Sequence, residues 1–176
     1  MKRRSAIKSL VIIAGGIAIM PSCSTEPGKA SIDLKKININ ADQEALLAEI
    51  AETIIPENDK LGAKELNLHL FTLKMVDDCH NEEDQKAFME GLNSMDKLAK
   101  SKYGNAFAKC DPGQRIDLLN AVSKEEGAAK EAAAFLKITK RRVIQGFMNS
   151  KYVMTDLKKY ELVPGRYNGY FPAKQA

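Results

Sequence analysis

Between Asn40 and Phe147, apolar residues recur at the three- and four-residue spacing of helices, with polar residues filling the positions between. The first stripe, Leu47, Ile50, Ala51 and Ile54, predicts a helix starting after Asn40, with Gln43 placed three residues on as in a capping box. Pro56 ends it, because the residue before a proline resists helical geometry. A polar loop from Glu57 to Ala63 leads to a dense apolar segment holding Leu66, Leu68, Leu70, Phe71, Leu73, Met75 and Val76. Its first part alternates like a strand, but no partner strand is evident elsewhere, so a helix is expected. Phe88, Leu92, Met95 and Ala99 line one face of a longer helix, from about Glu82 to Tyr103, with Gly104 as its stop.

Asp111-Pro112-Gly113-Gln114 is a helix-start signal: an acidic N-cap, proline in the first turn and glutamine at the third position. Ile116, Leu119 and Val122 are expected to form the buried side of the helix that follows. Residues 128–147 carry the strongest helical pattern, with Ala132, Phe135, Leu136, Thr139, Val143, Gly146 and Phe147 on one face and alanines of high helix propensity. After Tyr160 the periodicity fades, although Tyr152 onward holds four of the five tyrosines. Val163-Pro164-Gly165-Arg166 reads as a turn, and Tyr160, Tyr167, Tyr170 and Phe171 lie on an irregular strap around it. The expected fold is all-α: one bundle of about five helices over residues 38–176, ending in this aromatic strap.

The N-terminus has a different pattern. Arg3-Arg4-Ser5-Ala6-Ile7-Lys8 precedes an apolar run from Leu10 to Met20, then Pro21, Ser22 and Cys23. A basic start, a short apolar run and small residues at a cut site make residues 1–22 an export signal. The run is about half the ~20 residues of a spanning helix. Paired Arg3 and Arg4 with an apolar residue and a lysine behind them look like a twin-arginine signal, which exports folded proteins. Ala6 stands where that pattern usually has Phe, so simple secretory export is the rival reading. Met20 to Cys23 looks like a lipobox, whose cleavage leaves Cys23 as a lipid-modified N-terminus. A buried or disulfide-bonded Cys23 is the alternative. Residues 23–37, with Ser24 to Ile32 aperiodic and containing Ser, Thr, Pro and Gly, read as a tether. The expected location is the periplasmic side of the cell envelope, as a membrane-anchored lipoprotein.

The formal charge of +4 changes meaning once the signal is set apart. Lys2, Arg3, Arg4 and Lys8 account for all of it, so the mature chain is neutral and no electrostatic case for nucleic acid survives. About 150 residues remain, enough for one core. With Cys23 assigned to lipid, Cys79 and Cys110 are an even pair in an oxidising compartment. A disulfide between them is expected, with two reduced buried thiols as the alternative.

Catalytic chemistry is hard to find. The chain has no dinucleotide fingerprint, phosphate loop or Cys-x-x-Cys-His haem site. Asp77, Asp78, Cys79 and His80 hint at a metal, but neighbouring helical residues point about 100° apart, and a solvated helix end explains them better. Neither His69 nor His80 sits in a recognisable nucleophile–base setting. No catalytic, cofactor or metal residues are therefore assigned. Lys137, Lys140, Arg141 and Arg142 form a basic cluster that is either a solvated face or a docking patch. The strap likewise has two readings, a cover for its own bundle or a wrap for a partner, with Tyr160, Pro164, Gly165, Arg166, Tyr167 and Tyr170 as interface residues.

Ile50-Ala51-Glu52-Thr53-Ile54-Ile55-Pro56 with Gly62-Ala63 resembles the opening signature of the gluconate 2-dehydrogenase subunit 3 family. Phe107 with Asp111-Pro112-Gly113-Gln114 is similar to its second helix-start element. Tyr160-Glu161-Leu162-Val163-Pro164-Gly165-Arg166-Tyr167-Asn168-Gly169-Tyr170 is similar to its closing Tyr-x-x-Val-Pro-Gly segment. The resemblance spans nearly the whole mature chain. It implies a small non-catalytic subunit of a membrane-associated dehydrogenase, partnered by a large flavoprotein that carries FAD, often with a multihaem cytochrome c as electron acceptor. This chain departs from the pattern in its lipobox and its few cysteines.

The expected function is an accessory subunit that exports, anchors and stabilises a flavin-dependent sugar or sugar-acid dehydrogenase. Folded-state export serves proteins that acquire a cofactor before crossing the membrane, and such a signal on a chain with no visible cofactor site points to a cofactor-bearing partner. The alternative is a stand-alone helical envelope lipoprotein acting as a binding or scaffold module.

Overall fold

Five α-helices follow one another in the computed structural model, which describes residues 28–125, 130–158, 160–161, 165 and 169–170. They are α1 (Ala41–Ile54), α2 (Leu68–Cys79), α3 (Glu82–Tyr103), α4 (Pro112–Ser123) and α5 (Lys130–Met148). A 3-10 turn, Phe107–Lys109, precedes α4, and a π-helical turn, Tyr152–Leu157, follows α5. No strand occurs among the described residues, apart from an isolated bridge between Lys29 and Asn40. The all-α reading holds.

Local chemistry sets most of the boundaries. Asn40 caps α1 by accepting from the Gln43 amide at 2.8 Å, while the Gln43 side chain accepts from the Asn40 amide at 2.9 Å. Asp111 and Gln114 form the same reciprocal pair at the start of α4, at 2.9 and 3.2 Å. Each box satisfies two amides that a helix start otherwise leaves without partners. Helix α3 begins on Asn81 and three acidic residues, and ends with Lys100, Lys102 and a left-handed Gly104, so its charges complement the helix dipole. The strand-like start of the Leu66–Val76 segment is turn, and the helix begins at Leu68.

Helix α5 is central and packs against each of the other four. Phe88 of α3 and Phe135 of α5 meet in the core with ring centroids 5.0 Å apart and planes tilted by 57°. Around them lie fully buried Leu47, Ile50, Leu73, Val76, Leu92, Met95, Phe107 and Val122.

Two expectations need correcting. Leu119 and Val122 are buried as expected, but Ile116 is 51% exposed and Leu118 takes the third buried position of α4. Residues 118, 119 and 122 share one narrow helical stripe, and Ile116 lies outside it. The tether expected over 23–37 also ends earlier. Ala30 and Ile37 are buried in the main core, with Ile32 and Leu34 packed against it. Three consecutive amides, from Lys35 to Ile37, are held by Asp77. Apolar residues at 30, 32, 34, 37 and 39 give this stretch a buried side that its turn-forming residues mask.

Candidate partner interface

The opening signature closes the end of α1 onto the start of α2. Glu52 points from α1 into the loop, where its carboxylate accepts from the Glu57 amide at 2.7 Å and the Lys64 amide at 2.9 Å. The Ala63 amide donates to the Ile55 carbonyl at 2.9 Å, and Ala63 is fully buried. One turn back, Glu49 pairs with Lys64 at 2.5 Å and with Arg115 at 2.7 Å. Burial pushes the Glu49 carboxyl up, but the two cations more than offset this and hold it below its ordinary value. Arg115 also donates to the carbonyls of Cys110 and Ala108 and lies over the Phe107 ring. The Phe107 and Asp111–Gln114 element thereby docks on α1. These carboxylates hold backbone and cations together.

A second polar cluster occupies the corner between α2 and α3. Asp77 is fully buried and both its oxygens accept backbone amides. His80 Nδ1 meets Asp84 at 3.0 Å, while Arg142 of α5 donates to His80 Nε2 from Nε at 3.1 Å and from the terminal nitrogen at 2.8 Å. With Nε2 accepting from Arg142, Nδ1–H is the donor to Asp84. Gln85 donates to the carbonyls of Val76, Asp77 and His80, satisfying the end of α2. Asp77 and His80 thus engage different partners, Cys79 is an exposed free thiol, and no metal-binding group of side chains occurs among the described residues.

The expected Cys79–Cys110 disulfide is not formed. Both are free thiols, Cys79 exposed at the end of α2 and Cys110 buried before α4, its Sγ 3.5 Å from the Ala106 carbonyl oxygen. The buried thiol is turned into its own 3-10 turn, which a bridge to a solvent-facing partner would have to undo.

The basic cluster splits. Arg142 turns inward to His80, whereas Lys137, Lys140 and Arg141 are exposed along the outer face of α5. That face continues through Ile144, 43% exposed, and Met148, 42% exposed. Beside it, between α4 and α5, runs a groove of about 430 Å³ lined by Leu136, Lys137, Lys140, Arg141 and Ile144 among others. The sequence marked the basic residues of its rim but not the groove itself, which takes shape only where α5 packs beside the end of α4.

Of the strap, Tyr160 is 58% exposed and Tyr170 is 96% exposed, and a Cβ placed on Gly165 would meet nothing within 4 Å. The Tyr160 amide is held by the Met154 carbonyl at 3.1 Å. Pro164, Arg166 and Tyr167 lie outside the described residues, as do Arg3, Arg4 and Cys23.

A family model described as Gluconate 2-dehydrogenase subunit 3 matches residues 41–165, from the first residue of α1 to the glycine of the strap turn. No curated protein and no solved structure matches the chain.

Proposed function

The chain belongs to the gluconate 2-dehydrogenase subunit 3 family, and we propose that it is a non-catalytic accessory subunit that exports, anchors and stabilises a flavin-dependent dehydrogenase of the gluconate or sugar type. The family is by description one subunit of a dehydrogenase, so association with other subunits comes with membership. The observation that carries the accessory role is the match over 125 residues that run through the whole bundle. Within it, Glu52 of the opening signature and Glu49 just ahead of that signature are engaged in holding the fold. FAD belongs in the partner, and a cytochrome c is the fitting electron acceptor.

Export and anchoring rest on residues 1–23. Arg3 and Arg4 address the complex to folded-state export, and a lipidated Cys23 holds it at the envelope membrane. Four residues separate Cys23 from Gly28, where the described structure begins. At about 3.6 Å per residue, that places the Gly28 edge within about 18 Å of the anchor.

The carrier role is tested by Arg3→Lys with Arg4→Lys. Lysine keeps the charge but loses the planar fork of donors. Both proteins are then expected to stay in the cytoplasm, with dehydrogenase activity towards an artificial acceptor in lysates and none in the envelope fraction. Normal export of the flavoprotein beside a retained mutant subunit would overturn it.

A further inference from the structure

The groove between α4 and α5 has an apolar floor open to solvent. Ile116 of α4 and Ile144 of α5 are 51% and 43% exposed, with Leu136 between them. A smaller recess of about 190 Å³, reaching to Ile54 at the end of α1, adjoins the main one and shares Ser123, Leu136 and Lys140 with it. The rim is basic: Lys137, Lys140 and Arg141 are all exposed, and Glu125 is the one acid lining the groove among the described residues. No ion pair holds any of these three cations among the described residues.

We propose that this groove is the docking site for a short amphipathic helix of the flavoprotein partner, one with Leu- or Ile-type side chains on one face and Asp or Glu flanking them. The assignment rests on the accessory-subunit reading above. The length fits: the groove follows α5 from Ala133 to Ile144, about 17 Å at 1.5 Å per residue, or three turns of a docked helix. An apolar floor flanked by like charge is the complement of an acidic amphipathic helix laid into a groove. The charges set orientation and encounter rate, and the floor supplies the buried area. The exposed apolar face of α5 then continues from Ile144 to Met148, one turn along.

The same basic rim could attract an anionic bilayer, but its place in the fold argues against that. The recess adjoining the groove reaches Ile54, whereas the tether joins at Gly28, whose carbonyl accepts from Ala41 at the opposite end of α1. Fourteen residues of α1 separate the two ends, about 20 Å of helix.

The test is co-expression of the full chain with its flavoprotein, followed by affinity capture of the small subunit. Lys137→Glu with Lys140→Glu and Arg141→Glu is expected to lower flavoprotein recovery about tenfold or more, because like charges then face each other. Ile144→Asp is expected to act in the same direction. Both variants should melt as wild type does, since the altered side chains are exposed. Undiminished recovery with these variants overturns the groove assignment while leaving the accessory role standing. If the wild-type chain itself captures no flavoprotein, both readings fall. Loss of binding to phosphatidylglycerol vesicles by the triple variant of the Cys23→Ser chain, with flavoprotein recovery unchanged, would reassign the groove to lipid and overturn the proposal.

Discussion

The Ile37 amide donates to the Asp77 carboxylate at 3.0 Å across forty residues of sequence, joining the segment ahead of α1 to the end of α2. The Lys36 and Lys35 amides add bonds at 2.7 and 2.9 Å. Ile37 lies outside the family match and Asp77 within it, so this contact fastens the N-terminal segment to the family's bundle.

Burial pushes the Asp77 carboxyl up, but the three amides, with Lys74 nearby, more than offset it and hold it below its ordinary 3.8. A carboxyl depressed on folding contributes stability that is fully present above its unfolded value and is lost as pH falls through the folded one. The decline therefore begins near pH 4 and deepens below it. Asp77→Asn replaces one acceptor oxygen with a donor that faces an amide, and is expected to cost about 1–3 kcal/mol at pH 7. The variant should also lose less stability than wild type between pH 5 and 3, roughly the span over which this carboxyl stops contributing. Part of the acid sensitivity should remain, because Glu49 is depressed in the same direction. Thermal melts of both proteins at the two pH values check this. Equal stability at pH 7 would show that the contact adds nothing.

Gly62 is required by space. A Cβ there would lie 2.6 Å from the Glu57 amide nitrogen and 2.7 and 2.9 Å from the Glu52 carboxylate oxygens. Gly62→Ala must push Glu52 out of the loop it organises, and is expected to destabilise by about 1–3 kcal/mol. A protein of this size should lose roughly 2–4 °C of melting temperature per kcal/mol. Glu52→Gln in the Gly62→Ala background should then cost less than it does alone, since the bonds it weakens are already displaced. A fully additive double variant would count against the coupling.

What was legible in the chain is what depends on neighbours in sequence. Asn40 with Gln43, Asp111 with Gln114, and Gly104 set helix ends through bonds three or four residues long, and each is found where the sequence puts it. The charged anchors were not legible. Asp77 read as part of a solvated helix end, Arg142 as one of a surface cluster, and Arg115 drew no reading, yet their partners lie 40–42, 62 and 66 residues away. Polarity reports the side chain's chemistry, and only the packing of helices decides whether that chemistry faces water. Ile116 shows the converse: its spacing fits a buried stripe, but α4 turns a narrower one inward. The strap's composition marked it as different in kind; the basic rim beside α5 was legible as a charge cluster, but the groove it borders was not.

The two thiols should differ in access. Cys79 is exposed and Cys110 is 5% exposed with its Sγ against the 3-10 turn. In the unreduced mature protein, mass spectrometry is expected to find both free. A thiol reagent should label Cys79 in the native state and Cys110 only on unfolding. A mass two units lower, restored by reductant, would instead demonstrate the bridge.

The strap provides the clearest separation of assembly from stability. Tyr170 is 96% exposed and Tyr160 58% exposed, so neither contributes much to the bundle's own core. Tyrosines held at a surface present a large apolar ring with a polar tip and are favoured as anchors in partner interfaces. Truncation before Tyr160 is therefore expected to leave the melting temperature of the isolated subunit nearly unchanged while weakening capture of the flavoprotein. Tyr160→Ala and Tyr170→Ala should each weaken it by about 1–2 kcal/mol if they bury on binding, which is roughly five- to thirtyfold in affinity. Circular dichroism melts and affinity capture of the same variants measure the two effects side by side. A lowered melting temperature with undiminished capture would make the strap a cover for its own bundle, leaving the groove along α5 as the surface through which the partner is held.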